Sequence, residues 1–162
     1  MFDRGNPESK IVVIGEAPGA EEDKTGLCFV GRAGKMLDWV MASVGLDTNK
    51  DMLIANVLKC RPPDNRAPTD KEAAACLPYL TRQIALVKPK LLVLLGNTAV
   101  KRLFPEHKKT PMGQLFGKTL TYSQDDLKIP ALVLFHPAFL LYDPRKKTQQ
   151  VEAAKRIPEL IK

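Results

Sequence analysis

Glu16, Glu22, Asp23, Phe29, Asn56 and His136 are the residues whose types and places could do chemistry together. Each follows closely on a short apolar run. Residues 11–14, all β-branched, drive into Gly15-Glu16-Ala17-Pro18-Gly19, and Asn56 and His136 stand at the ends of the runs 52–57 and 131–135. A strand ending in glycines, its loop held open by proline, lays backbone amides along the carboxyl edge of a sheet, where open α/β folds bind ligands. The set offers carboxylates, one amide, one aromatic ring and one imidazole. It shows no Ser-His-Asp order, and His107 is the only other histidine, so it has no two-histidine metal spacing. Singly, each residue has an ordinary reading: glycines for a turn, Asn56 in a turn, Phe29 in a core, His136 capping local carbonyls.

The elements that must position this set follow from periodicity. Strands are expected at 10–14, 52–57, 90–95 and 131–135, with a further short one at 119–122. Ala33, Met36, Leu37, Val40, Met41 and Val44 recur at helical spacing before Gly45, with Met36 and Trp39 read as packing residues. Thr69-Asp70-Lys71-Glu72 is a capping box opening a helix that bends or restarts at Pro78 and runs to residue 87. A short helix covers 99–104, and a basic amphipathic helix covers 147–162, bent at Pro158. Residues 1–9 read as a polar lead. Strands alternating with helices make the fold class α/β: a three-layer α/β/α sandwich around a mostly parallel four-stranded sheet, one domain over 1–162. The loops 15–29, 56–66, 96–98 and 136–141 then share one edge.

Composition sets outer bounds. The chain carries 25 Lys and Arg against 18 Asp and Glu, a net charge of +7 that suits a polyanionic partner. No apolar run reaches the ~20 residues that span a bilayer, and no secretory leader is evident. Cys28, Cys60 and Cys76 are too few for a disulfide framework. The expectation is a cytoplasmic monomer.

Four motifs in order, GEAPG-x₃-D-x-x-G-x-x-FVGRAG, NVLKCRPPDNRAPT, KLLVLLG-x-TA and HPAFLL, resemble the type-4 uracil-DNA glycosylases over residues 5–143. Cys28 stands where that family usually has Pro, Ala138-Phe139 replaces a more usual Ser-Tyr, and the family's N-terminal cysteine pair is absent. The resemblance implies uracil-containing DNA as partner, a base flipped into a pocket, and hydrolysis of its N-glycosidic bond. It implies that Phe29 stacks on uracil and Asn56 reads its edge, and that His136 supports charge on O2 beside the amides of Gly15 to Ala17. Where other types use an Asp to hold the water, this chain has Ala17, so the resemblance implies that Glu16 or Glu22 orients the water or balances the sugar cation; Glu16 is favoured for the water, and Glu22 for a place against C5 that excludes a methyl. Arg32, Lys59, Arg61 and Arg66 are expected at phosphates, and Leu140 and Leu141 as candidates for an apolar wedge.

The resemblance also raises a four-iron four-sulfur cluster, for which Cys60 and Cys76 match two of four ligands. No cofactor is expected in this chain unless two further cysteines were supplied, and residues 1–4 are expected to cap that region over two reduced thiols. Two other readings compete: a nucleotide-binding enzyme using the GEAPG turn as a phosphate cradle, and a non-catalytic DNA-binding or polymerase-accessory domain. The first lacks GK[ST] and places acids at 21–23 where phosphate would lie. The second predicts loss of Asn56 or His136, and both are present.

Overall fold

The computed structural model describes residues 3–162; Met1 and Phe2, and so half of the expected N-terminal cap, lie outside the described residues. Its strands are β1 (Arg4–Gly5), β2 (Ile11–Gly15), β3 (Leu53–Asn56), β4 (Leu91–Leu95), β5 (Thr119–Gln124) and β6 (Leu127–Leu134). Its α-helices are α1 (Ala20–Thr25), α2 (Arg32–Ser43), α3 (Asp70–Val87), α4 (Asn97–Leu103), α5 (Met112–Leu115), α6 (Pro137–Tyr142), α7 (Lys147–Ala154) and α8 (Ile157–Leu160).

The strands form one sheet in the order β1-β3-β2-β4-β6-β5. The four expected strands are its parallel centre, β3-β2-β4-β6. The expected count of four is corrected to six, because β1 and β5 add an antiparallel strand at each edge. β5 is the short strand expected at 119–122, here extended to Gln124. β1 is two residues of the polar lead, paired through Arg4 with Ile54 and Gly5 with Leu53.

Central strands are apolar on both faces because helices cover both. Val12 and Ile14 point into one core, with residues of α3 and α4, while Ile11 and Val13 point into the other, with residues of α2, α6, α7 and α8. The α/β/α sandwich is therefore as expected. Thr69 opens α3 as a reciprocal capping box: its Oγ1 accepts from Glu72 N–H at 3.2 Å, and its N–H donates to Glu72 Oε1 at 3.0 Å. Pro78 lies inside α3 without dividing it. The C-terminal helix breaks earlier than Pro158, at residues 155–156, into α7 and α8.

Strand order fixes where a ligand can sit. From β2 the chain crosses one way to β3 and the other way to β4, so the carboxyl ends of β2 and β4 flank the switch point of the sheet. Gly15 and Asn56 are register partners at the ends of β2 and β3. At the end of β4, Gly96 N–H donates to Leu134 O at 2.9 Å, which brings His136, two residues further on, to the same edge.

Candidate active site

The pocket at this edge holds about 300 Å³ and is lined by Glu16, Glu22, Phe29, Asn56 and His136, among others. All five were singled out from their types and places in the sequence. Gly15 and Ala17 flank it: Ala17 is in the lining, and Gly15 lies beneath the Phe29 ring.

Two glycines give Phe29 its place. A Cβ on Gly15 would lie 2.5 Å from Phe29 Cζ and 2.7 Å from Asn56 Oδ1, so ring and amide meet on a bare Cα. Phe29 itself has φ +53°, left-handed backbone that costs an aromatic residue on the order of 1–3 kcal/mol. It is held there by α2, whose Gly34 passes so close that a Cβ would meet Phe29 O at 1.8 Å. Phe29 is 6% exposed, and its ring lies 5.7 Å, centroid to centroid, from that of His136. Phe29 thus belongs to the core and to the pocket at once.

The loop carrying Phe29 is braced by Glu22. One oxygen accepts from Gly19 N–H at 3.0 Å, and the other from Val30 and Gly31 N–H at 2.8 and 2.6 Å. α1, which the sequence pattern did not disclose, puts Glu22 in reach of these amides. Both of its oxygens are engaged by the loop that walls the pocket.

Asn56 is 1% exposed. Its Nδ2 donates to Cys28 Sγ at 3.6 Å, and its Oδ1 is buried with no hydrogen-bond partner among the described residues. A buried carbonyl oxygen without a donor costs about 1–3 kcal/mol until something supplies one. Burial drives the Cys28 thiol up to about 12, so it stays protonated.

His136 caps α6, its Nδ1 accepting from Ala138 N–H at 3.1 Å. It caps an amide rather than the carbonyls of the ordinary reading. With Nδ1 an acceptor, the neutral ring carries its proton on Nε2. Burial pushes its pKa down, against the opposing pull of the Glu16 carboxylate. The lowered pKa favours the neutral ring, whose Nε2–H has no hydrogen-bond partner among the described residues. Glu16 accepts from the Thr98 hydroxyl across the switch point, a partner that its place in the 96–98 loop alone did not reveal.

The basic residues divide. Arg66 lines the pocket and forks onto Glu72 at 2.6 and 3.1 Å, which holds the Glu72 carboxyl down to about 2. Arg61 Nε donates to Asn65 Oδ1 at 2.7 Å, and Arg32 is exposed at the start of α2. Lys59 corrects its expected place at a phosphate. Its ammonium donates inward, to Asn56 O at 2.9 Å and Gln83 Oε1 at 2.8 Å, with Asp3 Oδ1 at 3.8 Å. Leu140 is likewise corrected: it is fully buried in the core beside α2, while Leu141 is half-buried outside it.

A four-iron four-sulfur cluster needs four thiolates, and the three cysteines here do not supply them by themselves. Cys28 is buried under Asn56, Cys60 is exposed and Cys76 half-buried. Among the described residues no three His, Cys, Asp or Glu side chains group to hold a metal ion. No helix among them is long and apolar enough to cross a membrane.

The sequence model of the uracil DNA glycosylase superfamily matches residues 2–157. The type-4 uracil-DNA glycosylase of Archaeoglobus fulgidus is 40% identical over 158 residues, covering 96% of this chain and 79% of that protein. The type-4 uracil-DNA glycosylase of Thermotoga maritima is 40% identical over 147 residues, 91% of this chain and 74% of its own length. A DNA polymerase of Bacillus phage SP01 is 28% identical over 90% of this chain but only 15% of that protein. A pocket at the switch point built on Gly15, Phe29, Asn56 and His136, and kinship at this level over nearly the whole length, lead to one assignment: the chain belongs to the uracil-DNA glycosylase superfamily, in its type-4 branch.

Proposed function

We propose that this protein removes uracil from DNA by hydrolysing its N-glycosidic bond and leaves an abasic site. The observation that carries the reading is the unpartnered, buried Oδ1 of Asn56 beside the Phe29 ring. Uracil presents an N–H donor at N3 next to an acceptor at O4. Asn56 meets both, its carbonyl accepting from N3–H and its amide donating to O4. Cytosine inverts the pair and leaves buried groups opposed, at about 1–3 kcal/mol each. Phe29 stacks on the flipped base.

Bond cleavage leaves negative charge on uracil O2 and cation character on the sugar. The Nε2–H of neutral His136, with the amides around Gly15 to Ala17, donates to O2, a type of contribution worth about 3–4 kcal/mol in other hydrolases. Thr98 occupies one oxygen of Glu16, and the other orients the water on the sugar. Glu22 holds the wall on the C5 side of the base, so methyl exclusion acts through that braced wall. Arg61 and Arg66 approach phosphates, and Leu141 takes the wedge role that Leu140 cannot. The enzyme acts as a cytoplasmic monomer, and no step runs through a metal cluster.

Incubation with a uracil-containing single strand, then hot alkali, tests this: scission at the uracil is expected, with no borohydride-trapped adduct. An intact strand would instead favour the non-catalytic DNA-binding domain.

A further inference from the structure

Beside the pocket, α2 turns a second face outward. Arg32, Lys35, Met36 and Trp39 fall at i, i+3, i+4 and i+7, a single stripe along the helix. With Leu141 of α6 and Lys147 of α7 they enclose a groove of about 340 Å³. The sequence pattern assigned Trp39 to packing, but the indole is 50% exposed, with Lys147 Nζ 5.6 Å from its ring centroid. Three cations line the groove and no acid does.

The groove continues the pocket. Ala33, Gly34 and Ala138 line the pocket, while Arg32, Lys35 and Leu141 line the groove, so the first turns of α2 and α6 form the ridge between them. Gly34 of the pocket and Trp39 of the groove are five residues apart, a rise of about 7.5 Å along the helix. A strand with one base seated in the pocket would cross this ridge to reach Trp39.

We propose that the groove is a stacking subsite for an unpaired base flanking the flipped one in a single DNA strand. Trp39 is its platform, and Arg32, Lys35 and Lys147 meet the adjoining phosphates. A lone cationic patch would take any polyanion; a half-exposed indole set among cations, with the flexible Lys147 side chain over its ring, selects one that carries bases. The proposal rests on the pocket being a base site, and it adds a second contact to the same strand.

Trp39 is the chain's only tryptophan, so its fluorescence reports the groove directly. Titration with a uracil-free single-stranded oligothymidylate is expected to quench the emission in step with binding followed by anisotropy of a labelled strand. Inorganic polyphosphate of matched charge is expected to leave it unquenched. Trp39→Ala should weaken single-strand binding roughly 10-fold, and Trp39→Phe should recover most of it. Binding without quenching, equal quenching by polyphosphate, or equal affinity of the Ala and Phe variants overturns the proposal. Because the probe contains no uracil, failure of base excision would leave this result standing and would count against the pocket reading alone.

Discussion

The ammonium of Lys59 donates to the carbonyl oxygen of Asn56 at 2.9 Å, anchoring by its main chain a residue that lines the pocket. The same ammonium reaches Gln83 of α3 and lies 3.8 Å from Asp3. Burial lowers the Lys59 pKa and raises that of Asp3, each opposed by the other's charge. The cation is thus held between β3, α3 and the N-terminal segment.

Lys59→Met should therefore behave as a structural lesion. Removing one partner of a largely buried pair costs about 2 kcal/mol when some solvent reaches it, less than the 3–5 of a fully buried one. For a chain of this size that lowers the thermal midpoint by roughly 4–8 °C. A phosphate-binding lysine would instead reduce the salt dependence of DNA binding by about one counterion. Calorimetry and a salt titration on the same variant separate the two, and an unchanged midpoint with a shallower slope would restore Lys59 to the DNA interface.

Asn56→Asp changes one atom of the pocket. A carboxylate offers no donor to uracil O4 unless protonated, so uracil excision should fall roughly 10- to 100-fold, the loss of one buried pairing. Rejection of cytosine should relax in parallel. Single-turnover rates on matched uracil and cytosine strands measure both, and an undiminished uracil rate would remove Asn56 from base recognition.

What the sequence disclosed, and what it hid, divides along physical lines. The parallel centre was legible because buried strands such as 11–14 and 91–95 are apolar on both faces, and the residues at their ends read as one edge. β1 was hidden because two residues of strand exist only through pairing with β3. α1 was hidden because its acidic residues gave no apolar stripe; it is Glu22, bonded to amides eight and nine residues away, that ties it in place. Lys59 looked like a surface cation because its partners Asp3 and Gln83 are far off in sequence. Leu140 and Leu141 were indistinguishable until the direction of α6 against α2 buried one and not the other.

Gly15→Ala tests the seat of the Phe29 ring. The new methyl would lie 2.5 Å from Phe29 Cζ and 2.7 Å from Asn56 Oδ1, too close for either to stay. Gly15 ends β2 without a positive φ, so the strand itself accepts alanine. The expected outcome is a loss of excision of at least about 100-fold, as when a reacting group moves by an ångström. Uracil-free DNA should still bind with near-normal affinity, read by anisotropy. Wild-type excision by this variant would mean that the ring does not pack on uracil.

The pH dependence of His136 gives the last prediction, and its sign follows from burial. Burial lowers the pKa of the imidazole from its ordinary 6.5, with Glu16 pulling the other way. Below 6.5 the unfolded chain binds a proton that the folded chain does not yet take up, so its contribution to stability is fully present above 6.5. That contribution is lost as the pH falls towards the depressed folded-state value. Activity should follow the neutral ring, whose Nε2–H persists to high pH: excision stays level from about pH 6.5 upward and declines only on the acid side. An imidazolium donor would do the reverse, losing activity as the pH rises through the depressed value. His136→Gln keeps a neutral donor and removes the titration, so its residual rate should lose the component of the acid limb due to the ring. Rate–pH profiles of the two proteins decide it, and a wild-type rate that falls steadily between pH 6 and 8 would overturn the neutral-donor assignment.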